Sequence, residues 1–248
     1  MIRALTAALL LALLPATPAH AERPIAQFAA APLIADPVMS PSGAKMAMIL
    51  NVDGTQMLGV RNIVGAAAAP VLINTNGNEV HWVMWVNEDW LVVGVGHKET
   101  VGGDERYYTS TLAISADGRR NRVLESSSNV IWVARDGSAR ILLSFAGVRS
   151  GNVVYGGTVA AEADEIDLES GHRRVIARPV RGVWNWYADA QGNVRAGVGI
   201  RNDHHILVYR ASNGDMFREV ERTNAREREY VLVPLFFSAD GTNATVIA

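Results

Sequence analysis

Ser40-Pro41-Ser42-Gly43-Ala44-Lys45-Met46-Ala47-Met48-Ile49-Leu50 is a tight turn followed at once by an apolar, strand-like run. Proline presets φ for a turn, and glycine supplies the positive φ that other residues adopt at a cost. The same turn-then-strand unit returns along the chain. It reads Asn87-Glu88-Asp89 before Trp90-Leu91-Val92-Val93-Gly94-Val95, then Arg135-Asp136-Gly137 before Ala139-Arg140-Ile141-Leu142-Leu143. It returns as Asp189-Ala190-Gln191-Gly192, and last as Ser238-Ala239-Asp240-Gly241 before Thr245-Val246-Ile247. With Trp90 as the second marker, the markers are 47, 47, 55 and 49 residues apart. A period of about 40–50 residues predicts four-stranded propeller blades.

Between the markers lies a second class of turn: Asn51-Val52-Asp53-Gly54, Ala116-Asp117-Gly118, Glu169-Ser170-Gly171 and Ser212-Asn213-Gly214. These suit hairpins joining the middle or outer strands of each blade. Tryptophans keep the same register. Trp82 and Trp85 precede the second marker, Trp132 the third, and Trp184 and Trp186 the fourth, with Phe236-Phe237 in the matching place before the fifth. Large apolar residues there are expected to pack between neighbouring blades as core. Only Thr242 to Ala248 follow the fifth marker. The expected fold is therefore all-β: an incomplete propeller of about four four-stranded blades plus the first strand of another, with an open edge. It occupies 37–248. The charged stretch Met216 to Glu229 holds no helical face and reads as a strand pair with an exposed loop.

Composition bounds the function. The chain has 248 residues, 49% of them hydrophobic, enough for one all-β domain with a sizeable core. A formal net charge of -2 makes no electrostatic case for nucleic acid or an anionic membrane. With no cysteine there is no disulfide, thiolate nucleophile or Cys-ligated metal. The first 21 residues read as a signal peptide. Arg3 precedes an apolar run from Ala4 to Leu14, Pro15 and Pro18 end it, and Ala19-His20-Ala21 is a cleavage site. The run falls short of the ~20 apolar residues that span a bilayer. Cleavage after Ala21 places the mature chain, from Glu22, in the periplasm or outside the cell. A Pro-punctuated lead-in covers 22–36.

A search for chemistry returns no catalytic, cofactor-binding or metal residue. The nucleophile-elbow pattern is absent, and Gly147-Val148-Arg149-Ser150-Gly151 has its serine one place too late. His204 and His205 are adjacent on a strand, so they point to opposite faces and do not share a metal. His81, His97 and His172 stand alone. Asp164, Glu165, Asp167 and Glu169 read as a solvated strand face pairing with Arg173 and Arg174, not as a converging acid–base pair. Gly102-Gly103-Asp104-Glu105-Arg106 reads as a flexible charged loop. No phosphate loop, dinucleotide fingerprint or calcium loop occurs.

The stretch from Ile34 to Ala47, with Asp36-Pro37-Val38-Met39-Ser40-Pro41-Ser42-Gly43 at its centre, resembles the first-blade pattern D-P-x-x-S-P-D-G-K of exported prolyl oligopeptidase family serine peptidases. These include the dipeptidyl-peptidase and acylaminoacyl-peptidase branches. Ser42 stands where that family prefers Asp. Trp85-Val86-Asn87-Glu88-Asp89-Trp90-Leu91 resembles the family's second-blade entry, and Trp186 to Arg195 and Phe237 to Gly241 resemble later blades. The resemblance implies the N-terminal propeller of a peptidase that acts on peptides. Its triad would lie in a C-terminal α/β-hydrolase domain absent from these residues, and the propeller would admit substrate by size. No family catalytic residue maps onto any position here. A stand-alone periplasmic propeller for protein or ligand binding, similar to Tol-system propellers, shares the S-P-D-G turn and is the alternative. A solitary fragment with a poorly protected edge strand is a third reading.

Overall fold

Six successive residues, Trp90 to Val95, are all buried, although side chains along a strand alternate between two faces. Only a strand covered on both sides by neighbouring sheets requires that. The computed structural model describes residues 32–52, 54–65, 69–145 and 160–247. Among them it places five consecutive antiparallel sheets. The first holds β1 (Ile34–Met39), β2 (Lys45–Val52), β3 (Thr55–Asn62) and β4 (Val71–Asn74). The second holds β5 (Glu79–Trp85), β6 (Trp90–Val101), β7 (Asp104–Ser115) and β8 (Asn121–Ser126). The third holds β9 (Ser128–Val133), β10 (Arg140–Phe145), β11 (Glu162–Asp167) and β12 (Arg173–Ala177). The fourth holds β13 (Val183–Ala188), β14 (Val194–Arg201), β15 (His204–Tyr209) and β16 (Arg218–Asn224). The fifth pairs β17 (Val233–Phe237) with β18 (Ala244–Ile247).

Each strand pairs with its sequence neighbour, which is the up-and-down order of propeller blades. The fold is an incomplete β-propeller. Every marker turn joins the first and second strands of its sheet, with Gly43 between β1 and β2 and Gly241 between β17 and β18. The fifth unit therefore has two strands among the described residues, not the single strand expected. The expectation had placed the marker at the start of a blade, and the apolar residues before it form that blade's first strand.

Three cores lie between consecutive sheets. Ala47, Ile49 and Leu58 meet Trp85, Leu91 and Val93 between the first and second. Trp90 and Val92 meet Ile141, Leu143 and Phe145 between the second and third. Leu142, Ala163 and Ala177 meet Val183, Trp186 and Ile206 between the third and fourth. Alternate residues of β6 and β10 thus serve different cores. At about 25 cal/mol per Å² of apolar surface buried, covering both faces of these strands contributes to stability from two cores at once.

The leader and residues 22–31 of the lead-in lie outside the described residues, as does 147–151, while the end of the lead-in runs into β1, so the first sheet begins at Ile34 and not at 37. Three other expectations change. Gly102 and Gly103, at φ 65° and 92°, form the tip of a hairpin in which β6 and β7 pair along their full length. Asp104–Arg106 is ladder, not flexible loop. Met216–Glu229 contributes one strand, β16, followed by a short 3-10 turn at Ala225–Glu227, and not a strand pair. Asp164 is 2% exposed, so it is not part of a solvated face.

Candidate functional site

The marker turns are built alike. A short polar side chain at each turn bonds its own backbone, and a glycine at most of them takes positive φ. Asn87 Oδ1 accepts from the Asp89 and Trp90 amides at 3.0 and 2.9 Å. Asp136 Oδ1 accepts from the Ser138 amide at 3.0 Å, and Asp189 Oδ1 from those of Gln191 and Asn193 at 3.0 and 2.8 Å. Asp240 Oδ1 accepts from the Thr242 amide at 3.1 Å. Gly137, Gly192 and Gly241 have φ of 82°, 81° and 70°.

These turns are also joined to one another. The Ser42 amide donates to Glu88 Oε1 at 2.7 Å, and Lys45 Nζ to the Glu88 carbonyl at 2.7 Å. Asn87 Nδ2 donates to the Gly137 carbonyl at 3.0 Å, Trp132 Nε1 to that of Ala190 at 2.9 Å, and Gln191 Nε2 to that of Ala239. A belt of hydrogen bonds therefore runs from the first sheet to the fifth along one face.

That belt rims a cavity of 720 Å³. Its wall is aromatic and aliphatic: Trp85, Ile131, Trp132, Val133, Phe236 and Phe237. A further cavity of 330 Å³ is lined by β9, β13 and β17, the first strands of their sheets. Both volumes fall within or near the ~300–1,000 Å³ typical of small-ligand pockets. Trp85 is fixed by its Nε1–H donating to the Val38 carbonyl at 3.0 Å. Trp132 packs its ring against Gly192, where a Cβ would lie 3.0 Å from it.

The rim carboxylates are engaged. Hydrogen bonds from the Ser138 side chain and amide, aided by Arg140, hold the Asp136 carboxyl down at about 2. Those from Ser238 and Thr242 hold Asp240 at about 2. Burial pushes the Glu88 and Asp189 carboxyls up. For Glu88 the Ser42 amide and hydroxyl outweigh burial, and for Asp189 the Asn193 and Arg195 bonds do, so both end lowered. None is set up to take a proton from a substrate near neutral pH. Arg135 lines the cavity with no ion pair among the described residues. This arrangement can bind an extended, partly apolar segment. Among the described residues that line it, none pairs a nucleophile with a base.

The residues singled out in the sequence fall elsewhere. His204 Nδ1 lies 2.7 Å from the Asn202 carbonyl, and His205 packs edge-on against Tyr230, on opposite faces of β15. His97 stacks on Tyr108. Glu165 pairs with Arg174 at 3.1 Å, as expected. Arg173 pairs across to Glu125 at 2.9 Å, a partner on the neighbouring sheet that sequence spacing did not reveal. Asp167 caps its turn through the Glu169 and Ser170 amides, both at 2.9 Å. Among the described residues no cluster of three or more His, Asp or Glu could hold a metal.

His81 does not stand alone. The Tyr107 hydroxyl donates to Glu79 Oε2 at 2.7 Å and lies 2.6 Å from His81 Nε2. That bond to Glu79 pushes the phenol up to about 12. The three residues sit on β5 and β7, with bare Gly96 of β6 between them. Trp132 and Arg135 as cavity residues were likewise missed. The only signal for them was their place beside the third marker.

No protein-family model matches the chain. None of the curated proteins matches it either. Among solved structures, an acylaminoacyl peptidase in complex with a chloromethyl ketone is similar at 14% identity and a TM-score of 0.46, over 77% of this chain and 32% of that one. The tricorn protease is similar at 11% identity and a TM-score of 0.39, over 78% of this chain and 23% of that one. Kuenenia stuttgartiensis hydrazine synthase is similar at 18% identity and a TM-score of 0.42, over 84% and 69%. The chain spans about a third of the length of the acylaminoacyl peptidase.

Proposed function

We propose that this chain is the non-catalytic, substrate-gating propeller portion of an exported serine peptidase that acts on peptides. The observation that carries the reading is the 720 Å³ cavity at the face made by the marker turns, with an aromatic wall and a hydrogen-bonded rim. The first-blade motif around Asp36-Pro37 and Ser40-Pro41-Ser42-Gly43 supports it. The mechanism is steric. A rim tied turn to turn changes shape little, so the opening admits a single extended chain and turns away a folded protein. Enclosing the path also keeps bulk water from a site beyond it. The catalytic partner in this reading is a C-terminal α/β-hydrolase domain, and export follows from the leader ending at Ala21. Among the described residues no helix is long and apolar enough to cross a membrane.

Reading the gene past the codon for Ala248 tests this. An open frame that reaches a G-x-S-x-G elbow, then Asp and His in that order, is the expected result. A stop codon, or further blades followed by a stop, would overturn it in favour of a stand-alone binding propeller.

A further inference from the structure

We propose that a third cavity, of 240 Å³ between the second and third sheets, binds a neutral sugar ring. It is independent of the marker-turn cavity and of the peptidase reading. It lies by the early part of β5, whereas the marker turn follows that strand's other end.

The platform is Trp82. The β5–β6 register slips between Val80 and Trp82, so His81 is the extra residue of a bulge. A bulge re-aims the side chains beside it. Here the indole lies on bare backbone: a Cβ on Gly94 would come within 2.2 Å of Trp82 Nε1. Any other residue at 94 would displace the ring. The indole N–H has no hydrogen-bond partner among the described residues. His81 is held beside it by the Tyr107 hydroxyl.

The facing wall is neutral and rich in hydroxyls. Thr111 is 2% exposed, and its Oγ1 lies 2.7 Å from Ser128 Oγ. Ser128 Oγ also donates to the Glu125 carbonyl at 3.4 Å, so the pair keeps lone pairs that can accept from a ligand hydroxyl. Ser127 holds φ at 48°, a left-handed conformation that costs a non-glycine residue energy and recurs at ligand sites. Asn129, whose Nδ2 lies 3.5 Å from Asn185 Oδ1, supplies an amide at the end of the wall.

Charge selects the class. No Lys, Arg, Asp or Glu lines the cavity. A phosphate or carboxylate would lose water there with no permanent counter-charge, the His81 imidazole being the one ionisable group in the lining. A sugar ring needs none. Its C–H face lies on the indole, and its hydroxyls exchange hydrogen bonds with Ser, Thr and Asn.

The test is a titration of the 15N-labelled chain with methyl β-D-glucopyranoside, with inorganic phosphate as control. The 6 tryptophans give separate indole N–H signals, and loss of one in Trp82→Phe assigns that of Trp82. The expected result is a saturable shift of the Trp82 signal with the sugar and none with phosphate. Asn129→Ala should weaken binding about fivefold to tenfold, the loss of one hydrogen bond. An unmoved Trp82 signal, an equal response to phosphate, or unchanged affinity in Asn129→Ala would each overturn the site. If Trp82→Phe fails to fold, Asn129→Ala still decides.

Discussion

Asp189 illustrates what a single residue does in this chain. Its carboxylate side chain is fully buried, 2.6 Å from Arg195 Nε, while its Oδ1 closes the fourth marker turn. Burial opposes the charge, but the Asn193 and Arg195 bonds prevail and the folded carboxyl titrates below its unfolded value. The folded state thus binds the proton more weakly than the unfolded chain. The stabilisation is present at neutral pH and is lost as pH falls below about 4. Asp189→Asn should cost about 3 kcal/mol at pH 7, because it leaves a half-buried guanidinium without its charge. The cost should shrink toward pH 3 in urea titrations. An unchanged acid limb would contradict this assignment. The turn role of Asp189 was legible, since Asp before Gly signals a self-bonded turn. Its ion pair with Arg195, six residues on, was not, because strand spacing alone does not say which charge folds back. Asp164 misled for a related reason. An acidic run reads as solvated, yet the sheet buries its first member beside Arg173.

At the scale of elements, each first strand carries a register shift: β1, β5, β9, β13 and β17. Bulges increase twist and bend the strand, which suits strands converging on an axis. No sequence pattern announced them, because a bulge interrupts the two-residue alternation that strand reading depends on. Gly199 shows how tight the result is. A Cβ there would lie 1.7 Å from the Gly182 carbonyl oxygen, a backbone atom that has no rotamer by which to yield. Gly199→Ala should destabilise the chain by about 1–3 kcal/mol or more, read as a lower urea midpoint at constant slope. A neutral outcome would mean the two strands separate more easily than described. The β6–β7 hairpin makes a second case. Both strands have 12 residues, but β5 pairs with β6 only as far as Gly96 and β8 with β7 only from Ser110. Beyond that the hairpin is two-stranded, and such ribbons are marginal alone. Amides of Lys98 to Arg106 should exchange much faster than those of Trp90 to Val95. Equal protection would mean that something else covers the arm. The charges and paired glycines there read as loop, because strand length is set by a ladder partner that local composition does not disclose.

For the whole molecule, the period was the legible part. Turns at near-constant spacing, the second to fifth with tryptophan or phenylalanine ahead of them, suffice for sheets stacked side by side with cores between them. What the period left out was the empty space. Cavities form where several first strands meet, from residues as far apart as Pro41 and Phe237, and no local pattern encodes that meeting. Gating requires that a peptide enter the cavity ringed by the marker turns. The most direct measurement is a titration of the chain with a short unstructured peptide, following the Trp132 indole N–H signal, with a folded protein as comparison. A gating propeller should give a saturable shift with the peptide, little with the folded protein, and no movement of Trp82. A Trp132 signal that ignores the peptide, or answers both partners alike, would contradict it.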